Sequence, residues 1–338
     1  MKSAAPGNIV MFTDFHRGSY AVIGALYRLS LERLGVAVTE VKTPQTQKER
    51  KAAAAAFRGG RIIHNTIGPC FAPVDGAFNI AAPFHEWSEY PEQWAERLNR
   101  FDEVWVSSRH IKLTLRKSGV TVPVEIAPPA LDLEPIPPKS RWAASAPFRF
   151  LACGEAHFRK GFHLLMEGFM KAFPKPGAAN LTIKTSKGCK WKSPRKDINI
   201  VPANMPRGEL LSMYRSCDVF VSASLGEGLG LPVAEAIMAL TPVAANYWGG
   251  HKDILAKGSF FEIPHKAVDQ LFCSRPDYFS PGQKCAYSSP EAIAGTLLKA
   301  VKSSPASRRK MAMEARRMLV SNYGAKTALK KLKARLGL

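Results

Sequence analysis

Two carboxylates, Glu227 and Glu235, stand eight residues apart in the stretch SASLGEGLGLPVAEAIMALTPVAANYWGG, which runs from Ser222 to Gly250. Ionised carboxylates only accept hydrogen bonds, which suits them to the hydroxyls of a sugar or a ribose. Around them the spacing is that of a ligand loop. Asp218-Val-Phe-Val-Ser222 is a short apolar run ending in a small polar residue, the pattern of a buried parallel strand reaching the edge of its sheet. Gly226, Gly228 and Gly230 then let a ligand approach the backbone, and Pro232 suits the first position of a helix continuing through Ala234, Ala236, Ile237 and Met238. Amides at such a helix start favour an anion. Glu227 falls in the loop and Glu235 about one turn inside the helix, so both are expected to face one ligand.

These residues resemble the Glu-x7-Glu signature of retaining GT-B glycosyltransferases, specifically glycosyltransferase family 4. The likeness extends upstream to Phe150-Leu-Ala-Cys-Gly154, Arg159-Lys160-Gly161-Phe162 and the amphipathic HLLMEGFMKAF. Downstream it takes in Thr241-Pro-Val-Ala-Ala245 and the glycine pair of Trp248-Gly-Gly250, so that it covers residues 148–255. It implies an α/β protein of GT-B fold, two Rossmann-like domains facing an interdomain cleft. The implied reaction moves a sugar from a nucleotide diphosphate sugar, a UDP- or GDP-sugar, to an acceptor hydroxyl with retention at the anomeric carbon. Neither a metal nor a further cofactor is implied.

By the same resemblance Glu227 holds a hydroxyl of the donor sugar and Glu235 the nucleotide ribose. Lys160, with Arg159, neutralises the departing diphosphate, and the backbone of Gly228, Leu229 and Gly230 assists. The family commonly has arginine directly after the glycine found here at 154, whereas this chain has Glu155; Arg159 is the substitute. His85, in Ala82-Pro-Phe-His-Glu-Trp87, matches the region where many relatives place a first-domain histidine near the reacting sugar. Such a ring orients a hydroxyl or shuttles a proton, and a structural histidine at a strand end is the equal alternative. His16, Arg17 and Gly18 follow the first strand as donor or acceptor contacts, without the usual Gly-x-Gly spacing. His64-Asn65-Thr66 ends another strand, lining the acceptor side or capping a turn.

The elements that must position these groups alternate in the βα rhythm of parallel sheets. Ile9–Thr13, the helical SYAVIGALYRLSLERLG and Val36–Val41 open the series, and strand-like runs recur at 61–64, 78–82, 103–106 and 124–127. Pro128, Pro129, Pro135, Pro137 and Pro138 interrupt regular structure. The expected domains are therefore 1–137 for the acceptor, a linker at 138–147, 148–318 for the nucleotide sugar, and a helical segment at 319–338 that returns to the first domain. The six cysteines, at 70, 153, 189, 217, 273 and 285, lack close metal-type pairing, which favours reduced thiols in a cytoplasmic protein. Cys153 and Cys217 are expected in strands. No apolar run is long enough to cross a bilayer, and nothing after Met1 resembles a signal peptide, leaving a soluble or peripheral protein.

Charge is the second unusual feature. The net charge of +21 is unevenly spread: 19 basic against 14 acidic residues up to Phe150, and 29 against 13 thereafter. A nucleotide sugar needs few of these, so the excess points to a large anionic partner, nucleic acid or an anionic membrane surface. Lys184, Lys187, Lys190, Lys192, Arg195 and Lys196 surround Trp191, a combination able to grip phosphates and stack a base, or simply a solvated basic loop. A peripheral helix needs bulky apolar residues beside its charges. Lys48–Arg58 offers mostly alanine, and the tail AKTALKKLKARLGL a small leucine face. DNA is thereby slightly favoured over membrane. The leading expectation is a phage-like enzyme glycosylating a hydroxymethylated pyrimidine in DNA. Behind it stand a peripheral enzyme of lipopolysaccharide, exopolysaccharide or glycolipid assembly, and a non-catalytic sugar- or nucleic-acid-binding protein.

Overall fold

The computed structural model describes residues 8–14, 18–134, 136–270 and 282–338. They form two compact units, one of residues 1–133, 270–283 and 322–338 and the other of residues 134–269 and 284–321. Each is built on a six-stranded parallel sheet.

In the first unit the strands are β1 (Asn8–Thr13), β2 (Ala37–Val41), β3 (Arg61–Asn65), β4 (Phe78–Ala81), β5 (Glu103–Val106) and β6 (Val124–Ile126), with helices α1 (Gly18–Glu32), α2 (Gln47–Ala56), α3 (Glu92–Leu98) and α4 (Arg109–Lys117). The order is β2-β1-β3-β4-β5-β6, so the direction of travel reverses between β1 and β3. β1 lies inside the sheet and is almost wholly buried, which is why NIVMFT reads as a continuous apolar run. α1 buries Ile23, Leu26, Tyr27 and Leu31, one face at helical spacing, and Tyr27 donates its hydroxyl proton to the carbonyl of Ala127 at 2.8 Å.

His64 ends up in the core of this unit, between Phe12 and Phe101 in edge-to-face contact. Its Nε2 bonds Asn79 Oδ1 at 3.0 Å, and burial pulls its pKa down to about 4 despite that bond. A histidine held neutral stabilises the fold above the unfolded pKa and loses that contribution as pH falls towards the folded value. Unfolding free energy measured in urea is therefore expected to decline between about pH 6.5 and 4 by up to about 3 kcal/mol. His64→Gln should flatten that interval; an unchanged pH slope would contradict the assignment.

The second unit carries β7 (Phe148–Cys153), β8 (Ala179–Thr185), β9 (Ile198–Pro202), β10 (Val219–Ser222), β11 (Val243–Ala245) and β12 (Phe261–Glu262), in the order β12-β11-β10-β7-β8-β9. Its helices are α5 (Phe162–Ala172), α6 (Arg207–Ser216), α7 (Leu231–Met238), α8 (His251–Ile254) and α9 (Pro290–Lys302), and a hairpin pairs β13 (Lys266–Asp269) with β14 (Lys284–Tyr287). α10 (Pro305–Tyr323) begins in this unit, while α11 (Ala325–Leu336) belongs to the first and packs on α1 through Ala328, Leu332 and Leu336. The strand order reverses between β7 and β10, the place where an open parallel sheet leaves a crevice for a ligand.

Two local readings change. Cys217 is not in a strand; it ends α6 and donates its thiol proton to the Tyr214 carbonyl at 3.2 Å, because β10 begins only at Val219. Pro232 is the second residue of α7 rather than its first, a position whose missing N–H is likewise not needed within the helix. The stretch 138–147 packs within the second unit, with buried Lys139 donating to the carbonyl of Arg215 at 2.9 Å. All five described cysteines are free thiols, and Cys273 lies outside the described residues.

Candidate functional site

The loops leaving β7 and β10 are knitted to each other by backbone. Leu225 N donates to the Arg159 carbonyl at 2.7 Å, and Ser224 Oγ bridges the carbonyls of Arg159 and Gly226 at 3.1 and 3.0 Å. Gly161 makes this approach possible: it sits at φ +65°, and a Cβ there would lie 2.1 Å from the Ala223 carbonyl oxygen. On the other side, Gly250 N donates to the Glu227 carbonyl at 2.7 Å, Asn246 Nδ2 to Ser224 O at 2.7 Å, and Ala286 N of β14 to Leu225 O at 2.7 Å. The loop 223–230 is thus fixed from three directions.

This scaffold brings one carboxylate and two cations together. Lys160 Nζ lies 2.6 Å from Glu227 Oε1, and Arg159 Nη1 lies 3.3 Å from Oε2 while donating to the Gly226 carbonyl at 2.7 Å. The three side chains are only 10% to 17% exposed. Burial would raise the Glu227 pKa, but Lys160, Arg159 and His251 outweigh it and hold the carboxyl down at about 2. Glu227 and Lys160 line a pocket with Cys153, Phe162, Ser222 and Gly230, and Gly230 begins α7 in the left-handed region at φ +91° with no side-chain cap. Orphan amides, a helix dipole and two cations therefore converge where the sheet order reverses, an arrangement suited to a diphosphate.

Glu235 has partners of its own on α6. Its Oε1 accepts from Arg207 at 3.0 Å and its Oε2 from the Tyr214 hydroxyl at 3.0 Å, and it is not among the residues lining the Glu227 pocket. Buried Tyr214 has its pKa driven well up by burial and then by the Glu235 charge. Arg207 and Tyr214, both on α6, were not singled out from sequence. Neither was His251, which follows the Gly249-Gly250 pair and packs its ring against Gly230. A histidine directly after paired glycines was the one local signal for it.

The remaining candidates separate. Gly228 and Leu229 continue the loop above, and a Cβ on Gly250 would lie 2.2 Å from the Gly228 carbonyl oxygen. His85 is buried in the first unit, where its Nε2 bonds the Glu89 carbonyl and its ring meets Tyr90 edge-on. Gly18 opens α1 at φ +78°; His16 and Arg17 lie outside the described residues. Asn65 donates to the Tyr20 carbonyl at 3.0 Å and Thr66 to Asp14 at 3.1 Å, so both serve the strand ends of their own unit. Lys187, Lys190, Lys192 and Lys196 are exposed, and no ion pair among the described residues engages them. Arg195 is withdrawn from any phosphate-gripping role, since it chelates buried Asp197 at 2.7 and 2.8 Å and lies over the Phe169 ring. Trp191 packs edge-on against Phe162, with ring centroids 6.2 Å apart.

Comparison with solved structures matches the whole chain. Anabaena Alr3699/HepE, in a crystal structure with UDP and glucose, superposes with a TM-score of 0.74 over 98% of this chain and 99% of that one, at 11% identity. The fold is GT-B. Sucrose-phosphate synthase from Thermosynechococcus elongatus matches with a TM-score of 0.70 over 97% and 98% of the two chains at 13% identity. S. aureus TarM, as a point mutant in complex with Fondaparinux, alpha-GlcNAc-glycerol and UDP, matches with a TM-score of 0.64 at 13% identity; 86% of this GT-B chain is covered, but only 58% of TarM. Residues 192–318 match the family model described as glycosyl transferases group 1, which takes in both glutamates and the loop 223–230. No curated protein sequence matches the chain. Among the described residues, no helix is long and apolar enough to cross a membrane.

Proposed function

We propose that this GT-B protein is a retaining glycosyltransferase that moves a sugar from a nucleotide diphosphate sugar to an acceptor hydroxyl. The observation that carries the reading is the Lys160–Arg159 pair gathered on Glu227 beside the uncapped start of α7. In the donor complex the two cations turn from Glu227 to the diphosphate and stabilise the charge that develops as it leaves. Glu227, released from its ion pairs, accepts a hydrogen bond from a donor-sugar hydroxyl. Glu235, oriented by Tyr214 and Arg207, receives the ribose. UDP is the first nucleotide to try, because it occupies the structures of HepE and TarM. With lysine and arginine meeting the leaving group, transfer is expected to persist in excess chelator; loss in chelator with recovery on adding one divalent ion would count against this chemistry.

For the acceptor we favour DNA carrying hydroxymethylated pyrimidines, on the charge of the chain and the exposed lysines of residues 187–196. An unmodified cytosine or thymine offers no exocyclic hydroxymethyl group to receive the sugar, and a base in duplex must first be exposed. DNA affinity is expected to fall steeply with salt, because each neutralised phosphate releases counterions with a logarithmic slope of about 0.9. Replacing Lys187, Lys190, Lys192 and Lys196 together with alanine should flatten that slope by roughly 3.6 and leave nucleotide binding intact. The acceptor itself is tested by mass analysis of nucleosides from hydroxymethylated and unmodified DNA, alongside membrane lipid extract, after reaction with nucleotide sugars. Sugar on hydroxymethylated DNA alone supports this acceptor; sugar on lipid or glycan instead replaces it with surface-glycan assembly.

A further inference from the structure

His251 is 1% exposed, yet among the described residues only one of its ring nitrogens has a partner. Nδ1 lies 3.0 Å from the Asn246 carbonyl oxygen and 3.3 Å from Asn246 Oδ1. A carbonyl only accepts, so Nδ1 carries the hydrogen and the neutral ring keeps its lone pair on Nε2. The tautomer is fixed further by Asn246 itself, whose amide is spent on the Ser224 carbonyl. Nε2 meets no donor among the described residues, and a Cβ added to Gly230 would lie 3.0 Å from it, so the ring edge occupies the space left by that glycine at the wall of the pocket.

The charged and titratable groups facing this ring come from several elements. Glu227 lies on the loop after β10, Lys160 on the turn before α5 and His265 beyond β12; Lys252 and Asp253 flank the ring on α8 itself. Burial first, and then Lys160 and His265, hold the imidazole neutral, while Glu227 and the Asn246 carbonyl favour its charged form. That balance depends on where Lys160 is spent. While Lys160 and Arg159 neutralise Glu227 at 2.6 and 3.3 Å, a third cation beside the carboxylate gains little. Once an anion draws Lys160 and Arg159 away, Glu227 becomes a buried carboxylate short of positive charge, an expensive state that is relieved by pairing.

Building on the donor-site reading above, we infer that His251 takes up one proton from solvent on Nε2 when a nucleotide diphosphate sugar binds, replacing Lys160 as the cation beside Glu227. It acts through Glu227 and is therefore a positioning residue, one that keeps the sugar-binding carboxylate ionised and in place while the lysine serves the diphosphate. The linkage has a definite sign. Because the bound complex holds the extra proton, affinity rises as pH falls, until the free protein is protonated as well.

The test is calorimetric titration of UDP-glucose, and in parallel GDP-mannose, in three buffers of different ionisation enthalpy. These donors are used because their diphosphates carry no group titrating near neutrality. Near pH 7 the wild type is expected to take up roughly 0.5 to 1 proton per donor bound, with affinity increasing up to about tenfold per pH unit of acidification. His251→Gln and His251→Asn should bind with no proton uptake and a flat pH profile. Donor binding by the wild type without proton uptake overturns the inference and leaves the donor site standing, as does uptake that survives in both variants. Failure of the wild type to bind either donor overturns both.

Discussion

Lys160→Ala is expected to lower kcat/KM for sugar transfer on the order of a thousandfold while the protein still melts cooperatively. The lysine is the cation closest to Glu227 and lines the pocket, and in the proposed reaction it is the group that meets the leaving diphosphate. Stabilising charge that appears only as the bond to the anomeric carbon breaks lowers the barrier rather than the ground state, so the loss should fall mainly on kcat. The methylene chain of Lys160 also packs on Gly154, where a Cβ would lie 3.1 Å from its Cε and 3.2 Å from its Cδ. A Lys160→Met variant therefore keeps the packing without the charge, and it should show the same kinetic loss. Rates near wild type in either folded variant would remove Lys160 from the chemistry.

Glu227→Gln should have the second largest effect, and in two opposite directions. Transfer is expected to fall on the order of a hundredfold, because a neutral amide is a weaker acceptor for the donor-sugar hydroxyl. Binding of free UDP, by contrast, should tighten roughly threefold to tenfold, since the diphosphate no longer competes with a carboxylate for Lys160 and Arg159. The grounds for that competition lie in the geometry, where both cations are committed to Glu227. Equal weakening of UDP and of transfer would mean that Glu227 merely holds the loop together. A titration of UDP against both proteins, beside initial rates at saturating donor, separates the two outcomes.

Much of the candidate site is written locally. The strand ends at Cys153 and Ser222, the glycines at 161 and 230 and the start of α7 all follow from runs of a few residues, and those runs carried the family resemblance. Lys160 and Glu227 are 67 residues apart, and what joins them is the reversal of strand order between β7 and β10. Sequence that alternates strand and helix already implies such a reversal somewhere. It does not say which polar side chains will be used up internally. Glu235 reads as an unassisted acid until α6 brings Arg207 and Tyr214 to orient it, and Arg195 reads as one of a basic cluster until Asp197, two residues on, takes its Nε and Nη2. His251 gives little local signal because its contacts with Asn246 and Gly230, and its electrostatic interaction with Glu227, arise only once the loops fold. The β13–β14 hairpin gave no local sign either: its strands KAVD and KCAY are short, mixed in polarity and widely separated in sequence.

The central claim, that the Lys160–Arg159–Glu227 pocket delivers a sugar from a nucleotide diphosphate sugar, is tested most directly by one comparison of the wild type with Lys160→Ala. Each folded protein is incubated with a panel of UDP- and GDP-sugars in the presence of hydroxymethylated DNA and lipid acceptors, and both released nucleoside diphosphate and sugar-bearing product are measured by mass. The account predicts matched amounts of the two from at least one donor with the wild type, and a loss on the order of a thousandfold with the variant. No release from any donor by the wild type, or equal release by the variant, would contradict it.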